Sequence, residues 1–406
     1  MQYFTHTLSN HIRVVHVEVD SPVAHLGILV NTGSRDELEE EQGMAHFIEH
    51  TIFKGTKKRR AYHILSRLED VGGELNAYTT KEETALYATF LNGDYNRAIE
   101  LMSDIMNNSV FPKKELEKEK EVVIEEINSY KDSPSELIFD EFEELLYAGH
   151  PLGRNILGTP QNVRKFTRKK VLKFIQRNYH TDQMVICSIG KIKFDRFTKL
   201  IDKHFEGVPA RLRGYERERF EAYQPIVKEL SKDTYQAHCM LGNIAYNNQH
   251  PKRVALVLLN NILGGTSMNS RLNMVLREKH GMAYNIESNY TAYSDTGQFN
   301  IYFGTEKENL DRARKIVMKE LDRLKNVKLG SLQLSKAKKQ LIGQLAVSQE
   351  NREDLLLTIG KSYMLYNRID SLEEISAKVN ALTALDLMDV ANEVFDSSKL
   401  SMLTVY

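Results

Sequence analysis

Cysteine is scarce in this chain of 406 residues: there are two, Cys187 and Cys239. Both lie in apolar, strand-like runs, MVICSIG and AHCMLGNI, so two buried structural thiols are expected and no disulfide framework. An excess of either charge is missing as well. Lys plus Arg and Asp plus Glu both number 55. A balanced chain has no general attraction to nucleic acid or to an anionic membrane. No apolar run approaches the roughly 20 residues that span a bilayer. The opening MQYFTHTLSN has neither a basic n-region nor an apolar h-region, so no secretory signal is expected and the location reads as cytoplasmic. What is present, 27% charged and 41% hydrophobic residues, is a globular composition at a length that points to two or more domains.

The order of elements repeats. The first half runs from the strand AHLGILVNTGS through a helix containing HFIEH and the helix YHILSRLEDVGG. Two strands in ELNAYTTKEETALYATFLN and helices at 94–106 and 113–130 follow. The second half offers AHCMLGNIAYNN, helices RVALVLLNNILGG and SRLNMVLREKHG, strands MAYNIESNYTAY and GQFNIYFGT, and helices at 308–324 and 331–350. Locally pairing strands with grouped helices predict an α+β fold of two homologous domains, each an antiparallel-rich sheet with helices packed on one face. The expected division is 1–208, a linker at 209–226 in the charged stretch around EGVPARLRGYERERF, and 227–406.

Against this repeat, HFIEH stands out, because the corresponding stretch of the second half reads LLNNI. The fold therefore does not require the histidines. On a helix His46, Glu49 and His50 share a face, so two imidazoles can meet one ion beside a carboxylate. The helix 113–130 supplies a candidate third ligand. Its apolar stripe runs through Leu116, Val123, Ile127 and Tyr130, and Glu119 and Glu126 fall on that stripe. A carboxylate on a buried face is costly unless something positive meets it. Glu117, Glu121 and Glu125 face elsewhere, as a solvated charge run would. In the second half Ala337 and Gln344 take the places of Glu119 and Glu126, so the ligand-competent residues are lost together. Two histidines and one carboxylate leave a coordination position open, as catalytic zinc sites do. Glu49 is then free to act as a general base in metal-assisted hydrolysis. Glu119 would orient ligands from behind.

These residues resemble a known family. HFIEH is the H-x-x-E-H signature of the inverted zinc metallopeptidases. Together with the helix ELEKEKEVVIEEI, whose glutamate lies 76 positions after the second histidine, it resembles the pitrilysin-type (M16) peptidases. The similarity is to the short two-domain branch that includes mitochondrial processing peptidase and its bacterial relatives. It extends over LVNTGSRDE, GMAHFIEHTIFKGT, HPLGRNILGT and GGTSMNSRLNMVLREKHGMAY. The resemblance implies a zinc endopeptidase with His46, His50 and Glu126 as ligands to Zn2+, Glu49 as base and Glu119 as supporting carboxylate. It implies that a peptide substrate adds to the strand of Asn76 and Ala77, and that Arg277 and Tyr284 hold the substrate carbonyl and the developing oxyanion. On the residues alone, Arg277 equally suits the last turn of a helix ending at Gly281, and Tyr284 suits a strand core. Longer relatives carry the two features on the first and fourth of four domains, which implies a homodimer here. A non-catalytic or partner-dependent subunit is the rival reading. His11 occupies a hairpin turn where relatives carry glycine, and with His6 and His16 is expected at turns or on the surface.

Overall fold

A computed structural model describes residues 2–232 and 234–406. Among the described residues the chain forms two sheets. The first has the order β1-β2-β6-β3-β5-β4, with β1 Phe4–Thr7, β2 Arg13–Glu18, β3 Val23–Val30, β4 Glu74–Thr79, β5 Thr84–Leu91 and β6 Met184–Gly190. The second has the order β7-β11-β8-β10-β9, with β7 Val227–Leu230, β8 Ala237–Ala245, β9 Ala283–Ala292, β10 Gly297–Thr305 and β11 Ser401–Val405. The repeat in the sequence is a repeat in topology. β3 and β8 each lie between two antiparallel neighbours. The pairs β2–β6 and β7–β11 are the parallel ones. β4 and β9 are both edge strands, and their alternating or mixed exposure contrasts with the fully buried β10.

The front face of the first sheet carries Leu26, Ile28, Val30, Leu86 and Phe90. These pack against helices α1 Met44–Thr51, α2 Ala61–Glu69, α3 Tyr95–Asn108 and α4 Lys113–Lys131. Beyond this helical layer, the back face is covered too. Val15, Val17, Leu29, Val185 and Cys187 pack on Leu356 and Ile359 of the helix Arg352–Tyr366. Gly27 and Gly360 permit that approach. A Cβ on Gly27 would meet Cys187 Sγ at 2.9 Å, and one on Gly360 would meet Leu29 Cδ1 at 2.8 Å. The second sheet has the mirror-image provision: Ile138 and Phe142 of α5 Pro134–Leu146 pack on Met240, Tyr302 and Leu403. The two compact units are therefore 1–128 with 154–217 and 347–371, and 129–153 with 218–346 and 372–406. Each draws one covering helix from the other half of the sequence.

Residues 209–226 carry neither helix nor strand. The stretch as far as Arg217 is nevertheless anchored to the first unit. Arg213 and Arg217 each reach the buried carboxylate of Asp36 at 2.8 Å. Both cysteines are free and buried, and burial pushes the Cys187 thiol up to about 12. His11 has a φ of 72°, the left-handed turn expected of it. His16 departs from expectation: it is fully buried in β2, its ring bonded to the Ile192 carbonyl at 2.9 Å. Because β2 is covered on both faces, no residue in its middle has a solvent side.

Candidate metal centre

α1 has only eight residues, too few to persist alone. It is held by packing, since Met44, Ala45, Phe47 and Ile48 are fully buried. It is also held at its start. The buried carboxylate of Glu37 accepts the backbone N–H groups of Gly43 (2.9 Å) and Ala45 (2.8 Å), which the first turn of a helix leaves unpaired. Gly43 has a φ of 92°, and a Cβ there would meet the Leu157 carbonyl oxygen at 2.6 Å, so this entry needs glycine. Burial pushes the Glu37 carboxyl up to about 8.

The rest of α1 presents its chemistry. His46 Nε2 lies 3.7 Å and His50 Nε2 3.4 Å from Glu126 Oε2 on α4. The three ligand atoms all lie within 4.8 Å of one another. Ligands at ~2.0–2.1 Å from a tetrahedral zinc stand ~3.4 Å apart, so these separations suit such an ion. The donor set also asks for one. Burial, and then the neighbouring His50, hold His46 down to about 3, so that ring is neutral. A neutral imidazole keeps one nitrogen able to ligate, and a carboxylate oxygen stands across from it. On α4, Leu116, Val123 and Ile127 are buried as the stripe requires, whereas Tyr130 is 37% exposed at the helix end and is not part of the core. Glu117, Glu121 and Glu125 are exposed. Glu119 is buried, and its Oε1 lies 3.1 Å from His50 Nδ1. Burial raises the Glu49 carboxyl above its ordinary value.

The substrate-side candidates fall in two places. Asn76 and Ala77 lie on edge strand β4, opposite Tyr87 and Leu86 of β5, and Ala77 lines the same small cavity as Glu49. Arg277 and Tyr284 belong to the second unit. Arg277 lies in a turn wound as a π-helix, Asn273–Lys279, a form common at functional sites. Its guanidinium sits 4.7 Å from the centroid of the Tyr284 ring, and Tyr284 is 73% exposed. Both line a groove of about 690 Å³ in that unit. The ring is therefore no strand-core residue. Where the first unit has Glu126, the second has Gln344, which donates to Ser267 Oγ at 2.7 Å. Two residues at the first site were not anticipated. Glu37 precedes its helix by several residues, and its only signal was an acid upstream of a helix start. Lys54, with Nζ 2.8 Å from Glu119 Oε2, reads in sequence as an ordinary cation at a helix end.

Fold and site together define a duplicated α+β protein in which one copy has a metal-competent inverted motif and the other has lost it. Residues 13–160 match the model described as Insulinase (Peptidase family M16), and residues 165–341 match Peptidase M16 inactive domain. The "Uncharacterized zinc protease YmxG" of Bacillus subtilis is 34% identical over 96% of this chain and 95% of its own length. A "Probable mitochondrial-processing peptidase subunit beta, mitochondrial" of Arabidopsis thaliana is 28% identical over 95% of this chain and 75% of its own. A protease from Helicobacter pylori has the same fold, with a TM-score of 0.92 at 24% identity over 100% of this chain and 99% of that one. The chain belongs to the M16 peptidase family, in its short two-domain branch. Among the described residues no helix is long and apolar enough to cross a membrane.

Proposed function

We propose that the protein is a zinc-dependent endopeptidase that hydrolyses peptides or unstructured polypeptide segments, with His46, His50 and Glu126 holding the metal. The observation that carries this is the convergence of three potential ligand atoms of His46, His50 and Glu126 within 4.8 Å, to which helix spacing adds Glu49 on the face of His46 and His50. Zinc, when bound, supplies Lewis acidity and lowers the pKa of water to roughly 7. Glu49 takes the proton of the attacking water and delivers it to the leaving amine, a transfer suited to a carboxyl raised by burial. Glu119 accepts from His50 Nδ1 and so leaves Nε2 free for the metal. An extended peptide adds to the edge of β4 at Asn76 and Ala77. Arg277 and Tyr284 direct a cation and a phenol at the oxyanion. As a homodimer, the protein would supply them from a second chain. We place it in the cytoplasm, in keeping with two free, buried thiols. The Arabidopsis relative is named as a subunit, which favours one second reading, a chain that needs a different partner for activity.

The division of roles has a direct test. Glu49→Gln should keep zinc and lose about 10²-fold or more of peptidase activity. Glu126→Gln should lose zinc affinity too. Metal analysis of both purified variants beside a peptide-cleavage assay decides it; equal metal loss in the two would refute the assignment of base and ligand.

A further inference from the structure

The two histidines of the centre are not supported alike. Behind His50 stands a chain of contacts: Lys54 Nζ to Glu119 Oε2 at 2.8 Å, then Glu119 Oε1 to His50 Nδ1 at 3.1 Å. His46 Nδ1 is buried with no hydrogen-bond partner. A ligating imidazole needs its other nitrogen to carry the proton, and a hydrogen bond from that N–H fixes both tautomer and ring orientation. His50 has that provision and His46 lacks it.

Lys54 is placed for its part by the backbone. It lies three residues past the end of α1, where its N–H bonds the Thr51 carbonyl at 3.1 Å and turns the chain. Its ammonium meets Glu119 of α4 beside His50. Glu119 is 8% exposed, so its second oxygen has little access to water. Lys54 itself is about a third exposed, at 31% for the side chain, and can be changed without opening the core.

From this geometry we propose that Lys54 is a positioning residue of the metal centre: by anchoring one oxygen of Glu119 it turns the other onto His50 Nδ1 and presents Nε2 to the metal, making His50 the more firmly set imidazole ligand. The proposal rests on the zinc reading above. A carboxylate tied at one oxygen by an ammonium has its remaining lone pairs aimed, whereas an untied one can rotate away from the imidazole. Lys54 touches neither metal nor substrate. It acts through Glu119.

Zinc affinity, measured on metal-stripped full-length protein against a competing chelator, tests this without reference to activity. Lys54→Met keeps the aliphatic stem and should weaken zinc binding about tenfold, the low end of what outer-shell partners contribute. Glu119→Gln should weaken it about ten- to a hundredfold. The double variant should bind no more than about twofold worse than Glu119→Gln alone, because both changes break one chain. Lys54→Arg should recover most of the affinity. Circular dichroism of the metal-free variants serves to confirm that each is folded. Zinc affinity unchanged in folded Lys54→Met, or losses that multiply in the double variant, would overturn the proposal while leaving the ligand assignment in place. Wild-type protein that takes up no zinc, or takes it up as well with Glu126→Gln, would instead overturn the zinc reading and this inference with it.

Discussion

Glu37 shows how much rests on single side chains behind the centre. Its carboxyl is raised by burial from 4.5 to about 8, against the pull of the Ala45 and Gly43 N–H groups and Arg154, and with the push of Glu41. The folded state therefore holds this proton more tightly than the unfolded chain does. Between those two values the folded form carries the extra proton, so the Glu37 contribution to stability falls as pH rises from about 4.5 to about 8. Thermal midpoints measured across that range should drop more steeply for wild type than for Glu37→Gln; parallel curves would contradict the assignment. The motif itself was legible in the sequence, since i, i+3, i+4 spacing and a seven-residue interval between Glu119 and Glu126 are properties of a helix, whatever surrounds it. Glu37, Lys54 and the burial of His16 were not legible. Each depends on which surface packs nearby, and local spacing carries no such information. Tyr130 misled for the same reason: its place on the stripe is right, but the core ends one turn earlier.

At the scale of elements, the helix of HFIEH, the helix at 113–130 and the strands on either side of KEET lie where hydrophobic period and glycine stops put them, whereas Pro134–Leu146 and Arg352–Tyr366 were not placed from the sequence; β4 and β9 fall at sheet edges. What pattern could not reveal is which sheet a helix covers. An apolar face fits any apolar surface, so Arg352–Tyr366 gives no local sign that it belongs on β3 and β6 of the first unit. The close fit there makes a further prediction. Gly360→Ala would place a Cβ 2.8 Å from Leu29 Cδ1 and 2.9 Å from Cys187 Sγ, inside contact distance. Overpacking of this kind costs about 1–3 kcal/mol. The variant should unfold at lower denaturant than wild type, and an unchanged midpoint would mean that the helix can shift away. Asp36 is a second device that pattern hides: two arginines from the stretch after Val208 close on one buried carboxylate, and this holds part of an apparent linker in place.

For the whole molecule the open matter is how one chain brings its two sets of candidate residues to a substrate. If two copies share sites, with Arg277 and Tyr284 of one serving the zinc centre of the other, two inactive proteins should rescue each other. One carries Glu49→Gln; the other carries Arg277→Ala with Tyr284→Phe. Random exchange makes half the dimers mixed, each with one complete site of two, so about a quarter of wild-type activity should return. No recovery after proven subunit exchange would exclude shared sites. The exchanged covering helices have a different consequence, for synthesis. A ribosome finishes the first sheet at Gly190, well before Arg352–Tyr366, so Val15, Val17, Leu29 and Val185 stand bare to water while residues 218–346 of the second unit are still being made. The nascent chain is then a client for holdase chaperones and a target for proteases, and a premature stop before residue 352 removes the back layer from the very unit that carries the histidines. The first unit has both of its layers only once the chain runs through Tyr366, even though the motif is finished by residue 126.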